Sequence, residues 1–435
     1  MMKKVVNFFT RLCEAYLPSA FVFCLLLTLL VYVAAVIFTP HSPVALVGFW
    51  GKDFWSLNAF AMQMVFVLVS GHMLTSTSLV KKALNYLTTV VHNEASALVL
   101  LSVFSTLTCF LNWGFGLIVS GILAIELAKK LGKVNFGLFI ATAYSGFLVW
   151  HGGLSGSIPI KIAGHDEVLT KVGISEPIPL SETIFSGWNL GIVVSLLILL
   201  PLLALWMRTE NKQEVAIPAT PEEKSYQSLT FRDKVENFKG FNILFFIFFG
   251  IIITQSFIQK VSFDINGVNL FFLSFALLLH KTPRNFLSAL EEAVKYASGI
   301  IIQFPFYAGL MGLMQHSSLA DQIADMFVHI STTKTLPLWT FLSGGIVNFI
   351  IPSGGGQWVV QGPIVLKAAQ SLNVDIAKVS MSLAWGDAWS NMIQPFWALP
   401  LLGLAKLELK DIMGYCLVFM AFSGIIISIF LYIAS

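Results

Sequence analysis

The apolar positions of this chain fall into long unbroken runs, without the every-other-residue alternation of half-buried strands. Runs cover residues 17–38, 55–79, 97–128, 136–160 and 185–207, then 241–257, 268–279, 293–314, 336–365, 380–404 and 412–432. Most reach the roughly 20 residues that a helix needs to cross a bilayer, and the missing alternation rules against an outer-membrane barrel. Composition sharpens the picture: 56% of residues are hydrophobic and 11% charged, against roughly 25% charged in an ordinary globular domain. The pattern predicts an all-α polytopic membrane protein whose surroundings are the lipid bilayer. The N-terminus "MMKKVVNFFTR" is basic, but the apolar run behind it is too long for a cleaved leader and reads as a retained first helix.

Short basic loops orient the runs. Lys3, Lys4 and Arg11 place the N-terminus in the cytoplasm; 17–38 crosses outward and 55–79 returns to Lys81 and Lys82. The run 97–128 has basic residues at both ends and "LNWGFG" (111–116) in its middle. A re-entrant hairpin that enters and leaves on one side satisfies both facts. The polar stretch 208–239, "RTENKQEVAIPATPEEKSYQSLTFRDKVENFK", reads as a cytoplasmic linker. Residues 1–207 then form a first repeat, with a hairpin at about 97–128 and a broken helix at about 136–160. Residues 240–435 hold an extra span and a second, inverted repeat, with a hairpin at about 336–367 and a broken helix at about 380–405. Faint echoes support the duplication: Trp150 lies 38 residues after Asn112 and Trp385 lies 37 after Asn348, and a serine follows each tryptophan five residues on (Ser155, Ser390).

Why helix-breakers stand inside membrane-length runs is a question of backbone satisfaction. In hydrocarbon, interrupted helices survive only within protein or around a polar cavity. Each break exposes half-helix N-termini that favour an anion and C-termini that favour a cation, the usual build of a secondary transporter. Four elements supply such breaks: "LNWGFG", "WHGGLSGSIP" (150–159), "PSGGGQ" (352–357) and "WGDAWSNMIQP" (385–395). Their candidate substrate ligands are Asn112, Gly114 and Gly116 in the first, and Ser155, Gly156 and Ser157 in the second. Ser353, Gly354, Gly355, Gly356 and Gln357 come from the third, Ser390 and Asn391 from the fourth. No arginine or lysine lies within any of the four, which favours a small monoanion held by N–H, hydroxyl and amide donors. Ionisable groups inside a membrane are functional candidates by default, so Asp387 and His151, with Asn112 and Asn391, are candidates for carrying a proton or a coupling cation such as sodium.

Other chemistries fit less well. "GLSG" (153–156) matches the surroundings of an intramembrane protease serine, but a protease needs no second set of motifs. "GGGQ" lacks the Lys-Ser/Thr of a P-loop, so ATP does not drive transport directly. The cysteines Cys13, Cys24, Cys109 and Cys416 have no metal or redox spacing. A net charge of +3 implies no nucleic-acid partner, and no organic cofactor is called for.

"NWGFGLIVSG" (112–121), "QFPFYAG" (303–309), "PSGGGQWVVQGP" (352–363), "QPFWALP" (394–400) and "DIMGYC" (411–416) together resemble the bacterial short-chain fatty acid transporter family over nearly the whole chain. The resemblance implies an inner-membrane carrier of monocarboxylates such as acetoacetate and butyrate, working by alternating access and coupled to a cation. The same-fold alternative is a carrier of another small organic anion, such as a dicarboxylate. Relatives in the wider ion transporter superfamily are commonly homodimers that move as elevators and hold sodium at serine–asparagine–threonine motifs. Here Ser390 and Asn391 match that motif, Asn112 and Ser353 stand at the tips, and Met392 replaces the threonine. Both proton and sodium coupling stay open.

Overall fold

The computed structural model describes residues 8, 18–164, 166–209, 213–214, 230–259, 265–349, 351–352 and 354–433. Lys3, Lys4, Arg11, Cys13, Ser353 and most of the polar stretch lie outside these residues. The chain opens with helix α1 (Ala20–Phe38). Helices α2 (Pro43–Asp53) and α3 (Asn58–Ser76) follow as a pair inclined at 45°. Ser42 caps α2 by accepting from the Ala45 N–H, and Pro43 begins it, a usual start signal. The short helix α4 (Ser78–Thr89) sets its polar side apart from its apolar one. Next come α5 (Glu94–Leu111) and α6 (Trp113–Leu131), separated by the single residue Asn112. Asn112 is extended and ends one helix while capping the other, its Oδ1 accepting from the Phe115 N–H at 3.0 Å. A side chain at Gly116 would collide with the backbone of Cys109, so glycine is what lets the two helices fold against each other here.

Helix α7 (Phe136–Ser145) tightens into a 3₁₀ turn at Gly146–Val149, loosens into turns, and resumes as α8 (Ser157–Ile162). After α9 (Glu167–Lys171) the long α10 (Gly187–Trp206) closes the first half. Helices α11 (Phe231–Glu236), α12 (Lys239–Ile258) and α13 (Ile265–His280) begin the second. The bent pair α14 (Pro283–Val294) and α15 (Ser298–His316), inclined at 53°, leads to the amphipathic α16 (Leu319–His329). Then α17 (Leu336–Asn348) and α18 (Gly354–Ser371) meet at the glycine-rich motif. Helix α19 (Ile376–Ser390) breaks through a 3₁₀ turn at Asn391–Ile393 into α20 (Pro395–Ala405), and α21 (Leu409–Ile433) ends the described chain. Among the described residues, five helices are long and apolar enough to cross a membrane, or seven if each bent pair is one span. The protein is an all-α, multi-pass membrane protein.

The structure adds detail to several of the expected runs. The runs 55–79 and 293–314 read as single crossings, and each is preceded by a helix that joins it at an angle, α2 and α14. Apolar length alone does not report chain direction. The polar stretch 208–239 is not all linker either. Thr230 and Asp233 form a capping box on α11, and Arg284 at the start of α14 holds Asp233 at 2.5 Å and Glu236 at 2.7 Å. The Arg284 guanidinium pulls the Asp233 carboxyl down to about 2, so the Asp233 arm of this clamp is fully present above the ordinary carboxylate range and is lost as pH falls through about 2. Residues Lys133 and Val134 also pair with Glu214 and Gln213 in a two-residue antiparallel bridge.

Helices α17 and α19 pack closely, and Gly386 is one of the glycines that permit it. A Cβ there would collide with the carbonyl oxygen of Phe341, a backbone atom that cannot rotate away. Overpacking of this kind costs about 1–3 kcal/mol or more. Gly386→Ala therefore lowers the thermal unfolding temperature in detergent, whereas Gly250→Ala, with open space around it, leaves it unchanged or raises it. Equal stability of the two variants would contradict the packing.

Candidate functional site

The two broken helices cross each other at their breaks. Tyr144, at the end of α7, donates its hydroxyl to the backbone oxygen of Asn391 at 2.6 Å. His151 Nε2 lies 3.5 Å from Asp387 Oδ1, both side chains fully buried. On the far side, Trp385 donates its indole N–H to Asn189 Oδ1 at 2.9 Å, and Asn189 donates to the Gly152 carbonyl at 3.0 Å. Asn189 on α10 thus acts as a strut between one break and the other.

Each break is bonded to the helix junction that precedes it in the chain, α5–α6 or α17–α18. In the first half, Leu154 N–H donates to the Phe110 carbonyl at 2.7 Å, and Ser155 Oγ accepts from the Trp113 N–H at 2.9 Å. In the second, Asn348 Nδ2 lies 2.8 Å from the Asp387 carbonyl, 2.9 Å from Ser390 Oγ and 2.6 Å from Asn391 Oδ1. The two serines that echo each other in sequence therefore do the same job, joining a break to a tip. Freed backbone and cap groups find partners inside the protein, as an apolar environment demands.

This accounting changes the roles of several expected ligands. The acceptor groups of Asn112 and Ser155 are engaged in capping, and Ser155 bonds to a backbone N–H rather than to a histidine base. Gln357 Nε2 donates to the Gly344 carbonyl and to Gln361, both at 2.6 Å. Ser390 accepts from Asn348 and donates to the Gly386 carbonyl at 3.2 Å. Gly114 is buried beside the Asn112 side chain, and Gly116 serves helix packing. Gly156 precedes α8 and Ser157 begins it. Ser353 lies outside the described residues.

Among the described residues, the buried atoms without a hydrogen bond include both ring nitrogens of His151, Asp387 Oδ2, Asn348 Oδ1 and Gln357 Oε1. The other Asp387 oxygen has two long contacts, Asn391 Nδ2 at 3.4 Å and His151 Nε2 at 3.5 Å. Buried polar atoms without a partner cost about 1–3 kcal/mol each, so their clustering in one place marks a site. Gly354, the first residue of α18, borders it: a Cβ there would strike His151 Nε2. The first turn of a helix also presents N–H groups without intrahelical acceptors.

Three contributors escaped the sequence reading. Asn348 was visible only through its spacing to Trp385, and Tyr144 carried no signal. The third corrects an expectation. The four motifs contain no lysine or arginine, yet Lys161, just beyond the second of them, curls back so that its Nζ lies 3.1 Å from where a Cβ on Gly355 would sit. Lys161 is exposed and Gly355 half-buried. An exposed lysine therefore stands beside Gly355, next in sequence to Gly354, which borders the buried His151–Asp387 pair.

Comparison with known proteins gives a consistent answer. The chain matches the sequence model of the family described as "Short chain fatty acid transporter" over residues 1–434. It is 39% identical over 434 residues to a protein of Escherichia coli K12, covering 98% of each chain. It is 37% identical over 448 residues to a protein of Haemophilus influenzae, covering 99% of this chain and 100% of the other. Both carry the name "Putative short-chain fatty acid transporter". Among solved structures, it is similar to the YdaH transporter of Alcanivorax borkumensis at 14% identity, with a TM-score of 0.46 over 96% of this chain and 98% of that one. The corresponding values for MtrF of Neisseria gonorrhoeae are 15%, 0.39, 98% and 97%.

The two serines are not equivalent energetically. Ser155→Ala removes the side-chain acceptor of the Trp113 N–H, a cap-type loss of about 1–2 kcal/mol. Ser390→Ala leaves Asn348 Nδ2 with two other acceptors, so its cost is about 0.5 kcal/mol or less. Unfolding temperatures of the two variants in detergent should rank in that order; the reverse order would contradict the bonding scheme.

Proposed function

Because the chain belongs to the short-chain fatty acid transporter family, we propose that it carries monocarboxylates such as acetoacetate and butyrate across the bacterial inner membrane by alternating access, one proton accompanying each anion. It is a transporter, not an enzyme. The observation that supports proton coupling is the buried His151–Asp387 pair, 3.5 Å apart across the two breaks and against the first residue of α18.

The argument is one of charge. An isolated charge in the membrane interior costs several kcal/mol at least. The empty pair holding one proton is neutral overall, whichever member carries it. A carboxylate arriving alone would leave a net negative charge; a carboxylate arriving with a second proton on the pair leaves none. Lys161 attracts the anion at the mouth, and the N–H groups of Gly354 and Gly355 at the start of α18 receive it, as helix N-termini do. A lone lysine suits one carboxylate better than two.

The two halves act in this reading as inverted repeats, with re-entrant hairpins at α5–α6 and α17–α18. Each tip is bonded to its own break, so tips and breaks can travel as one body against α1–α3 and α13–α15, in the manner of an elevator. A cytoplasmic N-terminus and a homodimer complete the proposal.

The test is uptake of labelled butyrate and acetoacetate into proteoliposomes, with a proton gradient and a sodium gradient imposed separately. An inward proton gradient should accelerate uptake, and Asp387→Asn should abolish that acceleration while the protein stays folded. Acceleration by sodium alone, surviving in Asp387→Asn, would overturn the assignment of the pair.

A further inference from the structure

Two of the chain's most distinctive motifs, "QFPFYAG" (303–309) and "QPFWALP" (394–400), have no part in the carboxylate and proton chemistry above. They pack against each other. Phe304 on α15 stacks on Phe396 on α20 with ring centroids 4.2 Å apart, and Tyr307 meets Phe396 edge-on at 5.3 Å. The cluster continues through Trp397 to Trp113 at the first hairpin tip (5.2 Å) and to Trp150 at the first break (5.8 Å). Trp150 in turn abuts His151, ring centroids 3.7 Å apart. An aromatic enclosure thus begins where the titratable pair ends.

What sets the enclosure apart from ordinary core is its polar atoms. The indole N–H groups of Trp150 and Trp397, the Tyr307 hydroxyl, both amide atoms of Gln394 and the Gln303 carbonyl oxygen are buried without a hydrogen-bond partner among the described residues. Two other buried indoles are satisfied, Trp358 donating to Asp166 at 3.2 Å and Trp385 to Asn189 at 2.9 Å, whereas the Trp50 indole against Gly309 is a further orphan. Most buried side-chain polar atoms in native proteins are bonded, so orphans on five residues in and beside one cluster call for a ligand. All are neutral, and most are donors. They suit a neutral oxygen on an otherwise apolar group, held between aromatic faces; a second carboxylate would find no charge to pair with there.

We propose that this enclosure is the acyl-recognition site, and that Tyr307, Gln394, Trp150 and Trp397 select substrates whose short chain carries an oxo or hydroxyl oxygen. The proposal rests on the carrier reading above: the carboxylate lies at the break beside His151, and the tail extends past Trp150 between α15 and α20. A site built to hydrogen-bond a substrate oxygen discriminates strongly against the analogue lacking it, because its own polar atoms are then left unpaired.

Acetoacetate and butyrate, four-carbon acids that differ by one oxo group, are the probes. Competition against uptake of labelled acetoacetate in proteoliposomes gives the ratio of their apparent affinities. The unaltered protein should favour acetoacetate by roughly tenfold or more. Tyr307→Phe and Gln394→Leu should each cut that ratio several-fold. Trp389→Phe should not, because Trp389 lies outside the enclosure with its indole already bonded to the Met420 carbonyl at 2.7 Å. For a variant that loses uptake, the thermal shift each acid produces on purified protein supplies the same ratio. A ratio near one in the unaltered protein, or one that neither substitution changes, would overturn the proposal. No uptake of either acid by the unaltered, folded protein would instead overturn the carrier reading and this inference with it.

Discussion

A helix interrupted inside an apolar layer must find partners for the backbone groups it frees, and this requirement organises the whole molecule. Here each interruption is answered by the helix junction that precedes it: the 150–156 turn by Phe110 and Trp113, the 391–394 turn by Asn348. The two breaks can then be brought together, joined by Tyr144 and Asn391 and braced by Asn189. Around the breaks several buried groups nevertheless remain unpartnered among the described residues: His151, Asp387 and the oxygens of Asn348 and Gln357 on one side, and the indole, phenol and amide groups of the aromatic cluster on the other.

The distribution of charge follows the same logic. Lys161, beside Gly355, is exposed and keeps its solvation. The buried His151–Asp387 pair can be neutral as a unit. The polar groups of the aromatic cluster are neutral too, in surroundings where an ion would be costly and a neutral oxygen would not.

Much of this architecture was legible in the sequence, and for a physical reason. Glycine, proline, asparagine and serine inside apolar runs cannot be explained as membrane-spanning helix, so the breaks near Gly153 and Asn391 and the tips at Asn112 and Gly354 announced themselves. His151 and Asp387 did so as ionisable residues in apolar surroundings. The functional state of individual groups was not legible, because motif chemistry says what a side chain can bond to and not what it does bond to. Ser155 and Gln357, expected as ligands, also bond within the scaffold, to the Trp113 N–H and to the Gly344 carbonyl and Gln361. Lys161 was passed over because it stands outside its motif by two residues, and only the curl of α8 returns it to Gly355. The bent pairs α2–α3 and α14–α15 were hidden because an apolar run has a length but no direction. The aromatic motifs marked the family without revealing that they meet, since ring contacts between residues 304 and 396 leave no trace in local pattern.

The central claim is that the buried pair keeps the loaded and empty sites electrically neutral. Its most direct measurement is uptake under an imposed membrane potential, set by a potassium gradient with valinomycin, at equal pH on both sides. One elementary charge moved through 100 mV is worth about 2.3 kcal/mol, roughly a fiftyfold change in the equilibrium accumulation ratio. One proton per monocarboxylate moves no net charge, so the account predicts accumulation that does not respond to the potential. A response approaching fiftyfold per 100 mV would mean that net charge crosses with the substrate, and would contradict it.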